Sequence, residues 1–201
     1  MLMRVLLVLV LGLFAVTGRA ETLPHEFVQQ AADQTIARLK AERAQIEQDP
    51  DRIYGIIQDL VIPHFDFIRM SKWVLGKHWR DASPDQRKRF TDEFRTMLVR
   101  TYASSLMKYV DDKITYQPAQ WDKGSQEAVV HSSIDHPGGQ PVAVSYRLYL
   151  DQGNWKIFDV TVEDISLVIN YRSSFSSEIS AKGMDGLIEQ LVRKNRQSGN
   201  G

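Results

Sequence analysis

The sequence predicts one α+β domain, a twisted four-stranded antiparallel sheet wrapped by about six helices. Three observations predict it. The hydrophobic pattern has a helical period to about residue 110, alternates to about residue 162, and then turns helical again. A composition of 43% hydrophobic and 25% charged residues is that of a globular chain. No Pro/Gly/Ser linker, repeat or low-complexity tract divides residues 21–196.

The first twenty residues read as an address. Met1 to Arg4 form a short positive segment, Val5 to Val16 an apolar run of 12, and Gly18-Arg19-Ala20 a small-x-small cleavage site. Twelve residues in a helix span about 18 Å, short of the ~30 Å hydrocarbon core of a bilayer. Residues 1–20 are therefore expected to be a cleaved signal peptide, residues 21–196 the exported domain, and residues 197–201 a polar tail.

In the first half, Thr22 and Pro24 open a helix with Phe27, Ala31, Thr35 and Leu39 on one stripe. Ile53, Ile56, Ile57, Leu60 and Val61 mark a second helix ending at Pro63, and Phe67, Trp73 and Val74 a third that stops at Gly76. Ser83-Pro84-Asp85-Gln86 is a capping box with proline at the first helical position. The helix it opens carries Phe90, Phe94, Met97, Leu98, Thr101, Tyr102, Ser105, Leu106 and Tyr109 on one stripe.

Alternation then marks four strands: Ile114 and Tyr116; Val130, Ser132 and Ile134; Val142 to Leu150; and Phe158, Val160 and Val162. The last hairpin admits two registers. A two- or four-residue loop sets Ile157 opposite Leu148 or Leu150, whereas a three-residue loop with a bulge puts Phe158 and Val160 on the face of Val144 and Tyr146. The bulge gathers the apolar side chains and is the expected solution. Two closing helices follow, one with Ile165, Val168, Arg172, Phe175 and Ile179, the other, after Gly183, with Leu187, Ile188, Leu191 and Val192.

Chemistry is sparse. Without cysteine there is no disulfide framework, thiol catalysis or Cys-ligated zinc, and 25 basic against 25 acidic residues give no basic footprint for nucleic acid. The chain holds no nucleophile elbow, phosphate-cradling glycine loop or His-Glu-x-x-His. His131, Asp135 and His136, and the pair His64 and Asp66, imitate a site but read as solvated or structural. Asp159, on an otherwise apolar strand, reads as a satisfied core or turn acceptor. No metal or catalytic residue is expected. Periodicity alone does not separate core from pocket, so the residues by themselves reach an exported α+β domain.

Several ordered motifs go further. Trp73-Val74-Leu75-Gly76, His78-Trp79-Arg80, Ala82 to Gln86, Phe90 to Phe94 and Arg100-Thr101-Tyr102-Ala103 resemble the signature of the MlaC family, the toluene-tolerance proteins. Gly153-Asn154-Trp155, Val162 to Leu167 and Lys182 to Ile188 resemble its closing motifs. One departure stands out: Asp164 lies where the family pattern is expected to have glycine.

The resemblance implies a periplasmic phospholipid shuttle without enzymatic activity, whose sheet and helices enclose an apolar lipid pocket. It needs no cofactor, and phospholipid is its cargo. The implied partners are an outer-membrane lipoprotein–porin complex and an inner-membrane ABC transporter with an MCE-domain ring; a monomer is expected. Facing arguments place Val74, Leu75, Phe94, Leu98, Tyr102, Val130, Val144, Tyr146, Val160, Ile165 and Val168 on the pocket wall, with partner docking opening it near Ile165 to Val168. The alternatives are a periplasmic chaperone for apolar polypeptide segments and a small-molecule enzyme using Asp159 with a histidine.

Overall fold

The computed structural model describes residues 22–197 except Lys123 and His136. The signal peptide expected at residues 1–20, residues 198–201 of the expected tail and His136 lie outside the described residues. Helices α1 (Pro24–Ala41), α2 (Arg43–Gln48), α3 (Arg52–Leu60), α4 (Phe67–Leu75), α5 (His78–Asp81) and α6 (Pro84–Lys108) precede the sheet. Strands β1 (Lys113–Tyr116), β2 (Glu127–Asp135), β3 (Val142–Asp151), β4 (Asn154–Val162) and β5 (Ile165–Ser166) follow, and α7 (Leu167–Gln197) closes the chain.

The sheet is an antiparallel meander in the order β1-β2-β3-β4-β5, so it has five strands rather than four. The fifth exists because Glu163 and Asp164 both adopt positive φ, 50° and 63°, making a two-residue turn that folds Ile165 back onto Val162. Asp164 thus takes the left-handed conformation that glycine would adopt without strain. Ile165 belongs to this strand and not to a closing helix, which begins one residue after Ser166. Ser166 Oγ accepts from the Ile169 N–H at 3.1 Å and caps that helix. There are seven helices among the described residues rather than six. α2 and α5 are short additions, and the expected break at Gly183 is present as a non-helical residue (φ 73°, ψ 176°) that divides α7 into two helical stretches.

The β3–β4 hairpin combines both expected registers. A two-residue turn at Gln152 and Gly153, with φ 48° and 81°, sets Leu148 opposite Ile157. The bulge lies inside the strand: Arg147 faces Asp159, leaving Phe158 as the extra residue, and beyond it Val160 faces Tyr146. Val160 shares a face with Val144 and Tyr146, as expected. Phe158 does not, because the bulge turns it to the opposite face, against Trp73 and Tyr149 at ring separations of 6.0 Å each.

Both faces of the sheet are therefore covered. On one, Ala128, Val130, Leu148, Trp155 and Ile157 pack with Val28 of α1, and the Trp155 indole N–H donates to the Thr22 carbonyl at 2.8 Å. Thr22 pins the chain in this way rather than by capping α1, whose N-cap position is Leu23, where the Glu26 carboxylate accepts from the Leu23 N–H at 3.3 Å. On the other face, Phe158 joins α4, α6 and α7 through Met70, Val74, Phe90, Phe94, Phe175 and Leu187. A third cluster joins α1, α2, α3 and the far half of α6 through Leu39, Ile46, Ile56, Ala103 and Val110.

The 25-residue helix α6 starts as its sequence dictates. Ser83 Oγ accepts from the Gln86 N–H at 3.1 Å and Gln86 Oε1 from the Ser83 N–H at 3.0 Å. Its apolar stripe does not run straight. Phe90, Phe94, Met97 and Leu98 are buried, but beyond them Val99, Ala103 and Met107 turn to the third cluster while Tyr102 and Leu106 are exposed. At the other end, Asn195 Nδ2 donates to the Glu93 carbonyl at 3.0 Å and ties α7 to α6. Gly76 ends α4 with φ 54°, and a Cβ there would stand 2.9 Å from Arg172 Nη2 of α7.

Phe94 is fully buried among aromatic rings of α6 and α7. Phe94→Ala is expected to lower unfolding free energy by about 3–5 kcal/mol, read by chemical denaturation. His64 supplies a pH-dependent counterpart. Its ring meets Phe27 edge-on at 5.2 Å, and burial, then Lys156, lowers its pKa below 6.5. The fold favours neutral imidazole, so this contribution is complete above pH 6.5 and is lost as pH falls below it. Between about pH 7.5 and 5.5, His64→Gln should lose less stability than the unsubstituted chain.

Candidate functional site

The described histidines and Asp159 have structural partners. His131 Nδ1 lies 2.7 Å from Ser145 Oγ, His78 Nε2 3.3 Å from Ser176 Oγ, and His25 Nδ1 accepts from the Ala119 N–H at 3.4 Å. Asp159 is buried, and both of its carboxylate oxygens are engaged. Oδ2 accepts from the Ser166 hydroxyl at 2.7 Å and Oδ1 from the Val168 N–H at 3.2 Å. It anchors the start of α7 as a turn acceptor, with no histidine among these partners. Among the described residues no three His, Asp or Glu side chains converge as a metal site.

The eleven expected wall residues fall into three groups. Val74, Leu75, Phe94, Leu98 and Val168 lie in the α4–α6–α7 cluster. Val130, Tyr146 and Val160 line the α1 face of the sheet, with Val144 buried beside them, opposite Ser132 and Val162. Tyr102 and Ile165 are exposed at 38% and 59%. The first two groups are on opposite faces of the sheet, so the eleven do not line one surface. Two surface hollows, of 490 and 410 Å³, lie elsewhere and are lined by none of them.

The exposed pair belongs to an apolar rim. Ile165 pairs with Val162 across the β4–β5 turn, and Ile169, one turn into α7, is 68% exposed. Tyr102 is hydrogen-bonded to Tyr171 of α7, whose pKa is raised by burial and by that bond, and Leu106 is exposed one turn further along α6. The rim thus links the sheet end, the start of α7 and the far half of α6. It continues along the α1 face of the sheet into Val144, Val160, Tyr146 and Val130.

Three hydroxyls interrupt that apolar face. Tyr116 and Val144 each stand opposite Ser132, and Tyr146 stands opposite Val130. Tyr146 hydrogen-bonds Ser132, and the Ser132 hydroxyl donates to the Val144 carbonyl at 3.3 Å. Burial raises the Tyr146 pKa. The Tyr116 hydroxyl is buried without a partner, a state that costs about 1–3 kcal/mol. Neither Tyr116 nor Ser132 was selected from the sequence as a wall residue, nor were Ile169 and Tyr171. Ser132 carried a signal, a polar residue between Val130 and Ile134 on an apolar alternation. Ile169 carried none, because a helical stripe does not reveal which of its members meet solvent.

Fold and surface together define an α+β domain whose apolar, hydroxyl-bearing sheet face, packed against α1, ends at an exposed apolar rim. The family model for the MlaC protein matches residues 29–193. The chain belongs to the MlaC family. It is 31% identical over 185 residues to toluene tolerance protein Ttg2D of Pseudomonas putida, covering 92% of this chain and 85% of that one. It is 26% identical over 198 residues to the intermembrane phospholipid transport system binding protein MlaC of Haemophilus influenzae, covering 96% and 92%. Among solved structures it is similar to the phospholipid-binding protein from Ralstonia solanacearum in complex with a phospholipid. That match has a TM-score of 0.81 and 27% identity, and it spans 87% of this chain and 98% of the other.

Asp159→Asn keeps an acceptor for the start of α7 and removes its charge. It is expected to cost about 1 kcal/mol in denaturant unfolding and to leave ligand binding within about twofold.

Proposed function

We propose that this chain is a periplasmic phospholipid carrier that shuttles lipid between an outer-membrane lipoprotein–porin complex and an inner-membrane ABC transporter with an MCE-domain ring. The observation that carries this reading is the fold shared, at TM-score 0.81 over 87% of this chain and 98% of the other, with a phospholipid-binding protein in complex with a phospholipid. Family membership and the phospholipid transport protein among its relatives support the same reading. Among the described residues no helix is long and apolar enough to cross a membrane, which suits a carrier working between two bilayers.

Energetics set the form of such a carrier. Two acyl chains bring about thirty methylenes, and at about 0.8 kcal/mol each their exposure to water would cost on the order of 24 kcal/mol. Crossing an aqueous compartment therefore requires near-complete enclosure, and unloading requires that the enclosure open. The α1 face of the sheet, with Val130, Val144, Tyr146 and Val160, is the proposed wall. The α4–α6–α7 residues Val74, Leu75, Phe94, Leu98 and Val168 are the core behind the sheet. Ile165 and Ile169 are exposed on either side of buried Val168, so a partner gripping them pulls directly on the β4–β5–α7 junction.

Lipid-free protein incubated with phospholipid vesicles and then separated from them should carry phospholipid away. Val144→Trp, which fills the proposed wall, should reduce that uptake about tenfold while unfolding remains cooperative. Absence of uptake by the unsubstituted chain overturns the carrier reading, and undiminished uptake by the variant overturns the placement of the wall. Ile165→Glu should take up lipid normally but dock and unload poorly; unchanged docking and transfer would remove the rim from the gate.

A further inference from the structure

We infer that Arg147, clamped between Trp73 and Phe158 on the face of the sheet away from α1, is the docking point for an acidic segment of a protein partner. This rests on the carrier reading above, which requires the chain to meet partners, but it uses neither the proposed lipid wall nor the rim. Arg147 Cζ lies 5.1 Å from the Trp73 ring centre and 4.8 Å from that of Phe158. Arg69 Cζ lies 4.5 Å from Phe158 and 4.0 Å from Tyr149. Phe158 is shared, so cations alternate with rings from Trp73 to Tyr149.

The two guanidinium groups differ in what meets their charge. Arg69 pairs with Glu127 at 2.5 Å, whereas Arg147 reaches the same carboxylate only at 4.0 Å. The nearby carboxylates Asp66 and Asp159 are spent internally. Asp66 caps α4 and accepts from Tyr149, and Asp159, opposite Arg147, accepts from Ser166 and Val168. Lys156 donates to the Pro63 carbonyl at 2.6 Å, and Asp151 lies two residues beyond Tyr149, while the exposed Lys72 adjoins Trp73. The Tyr149 end is therefore acidic and the Trp73 end basic. That basic end is also accessible: Trp73 is 40% exposed and the Arg147 side chain 37%. Rings on both sides hold the guanidinium in place before a ligand arrives, so a forked pair with a carboxylate forms at little cost in side-chain entropy. Trp and Arg are the side chains that dominate protein interfaces. An anionic bilayer is read by clusters of several Lys and Arg, whereas one open guanidinium and one lysine beside an indole fit an acidic protein segment.

The test measures docking of the purified chain to each of the two membrane complexes named above, held in detergent, at about 50 and about 300 mM salt. Docking to at least one of them should weaken severalfold as salt rises. Arg147→Gln should weaken it about tenfold and flatten the salt dependence. Glu127→Gln removes the carboxylate that competes for Arg147 and should tighten docking about threefold, opposite in sign to the loss of a purely structural ion pair. Both variants should take up lipid from vesicles as the unsubstituted chain does. Absent or salt-independent docking overturns the assignment, as does docking unmoved by Arg147→Gln in a variant that unfolds cooperatively. If Arg147→Gln fails to fold, Glu127→Gln decides, because unchanged or weaker docking overturns the assignment. Weaker binding of Arg147→Gln to phosphatidylglycerol vesicles, with docking to both complexes unchanged, makes the patch a membrane contact and overturns the protein partner. In each of these cases lipid uptake by the unsubstituted chain leaves the carrier reading intact, and its failure overturns that reading.

Discussion

The bulge at Phe158 is the constraint from which the rest of the molecule follows. By adding one residue between Ile157 and Asp159 it lets a single strand serve both sides of the sheet. Ile157 and Val160 stay on the α1 face, Phe158 turns into the α4–α6–α7 cluster, and Asp159 is brought to the start of α7. A strand of strict alternation would send either Asp159 and Val160 or Ile157 and Phe158 to the wrong layer, the first of which leaves α7 without its buried acceptor. The outer edge of β4 is closed at both ends, by β5 at Thr161 and Val162 and by the Phe65 bridge at Ile157, where the Asp66 N–H donates to the Ile157 carbonyl at 2.9 Å. Asp66 in turn caps α4 and accepts from the Tyr149 hydroxyl. Sheet, α4 and α7 are thus fixed relative to one another around one irregular strand.

That arrangement separates two duties. The α4–α6–α7 side is tied by aromatic contacts and by the Arg69 and Arg147 guanidinium groups, both held over the Phe158 ring, at 4.5 and 4.8 Å. The α1 side is tied by Trp155, Leu148 and Ile157 where α1 packs, and gives way towards β5 to Val130, Val144 and Val160 and then to the exposed rim, the end of this face with less to lose when it parts. A carrier needs this inequality. Its frame must persist while one seam opens, and the seam must not be so strongly closed that lipid cannot enter or leave.

Much of this was legible in the chain. The change of hydrophobic period located the sheet, the Ser83 to Gln86 capping box fixed the start of α6, and Gly76 and Gly183 marked where helices stop or bend. The bulge was legible as a need, because only an extra residue lets Val160 join Val144 and Tyr146, but not its place, since Phe158 is equally apolar on either face. β5 was hidden because positive φ at Glu163 and Asp164 is a property of the turn, with no glycine there to announce it. The layers of the sheet were legible in part. Residue type selects Val130, Val144 and Val160 on the α1 face together with Val74 and Phe94, which have the same chemistry and lie behind the sheet, and only register distinguishes the two layers. The orphan state of Tyr116 depends on what packs above it, which no local pattern encodes.

Native mass spectrometry of the purified protein, followed by solvent extraction and lipid analysis, tests the carrier reading most directly. A stoichiometric adduct of phospholipid mass, released intact by extraction, is the expected result. A bare protein that also fails to acquire lipid from vesicles would contradict it and return the apolar face of the sheet to ordinary core.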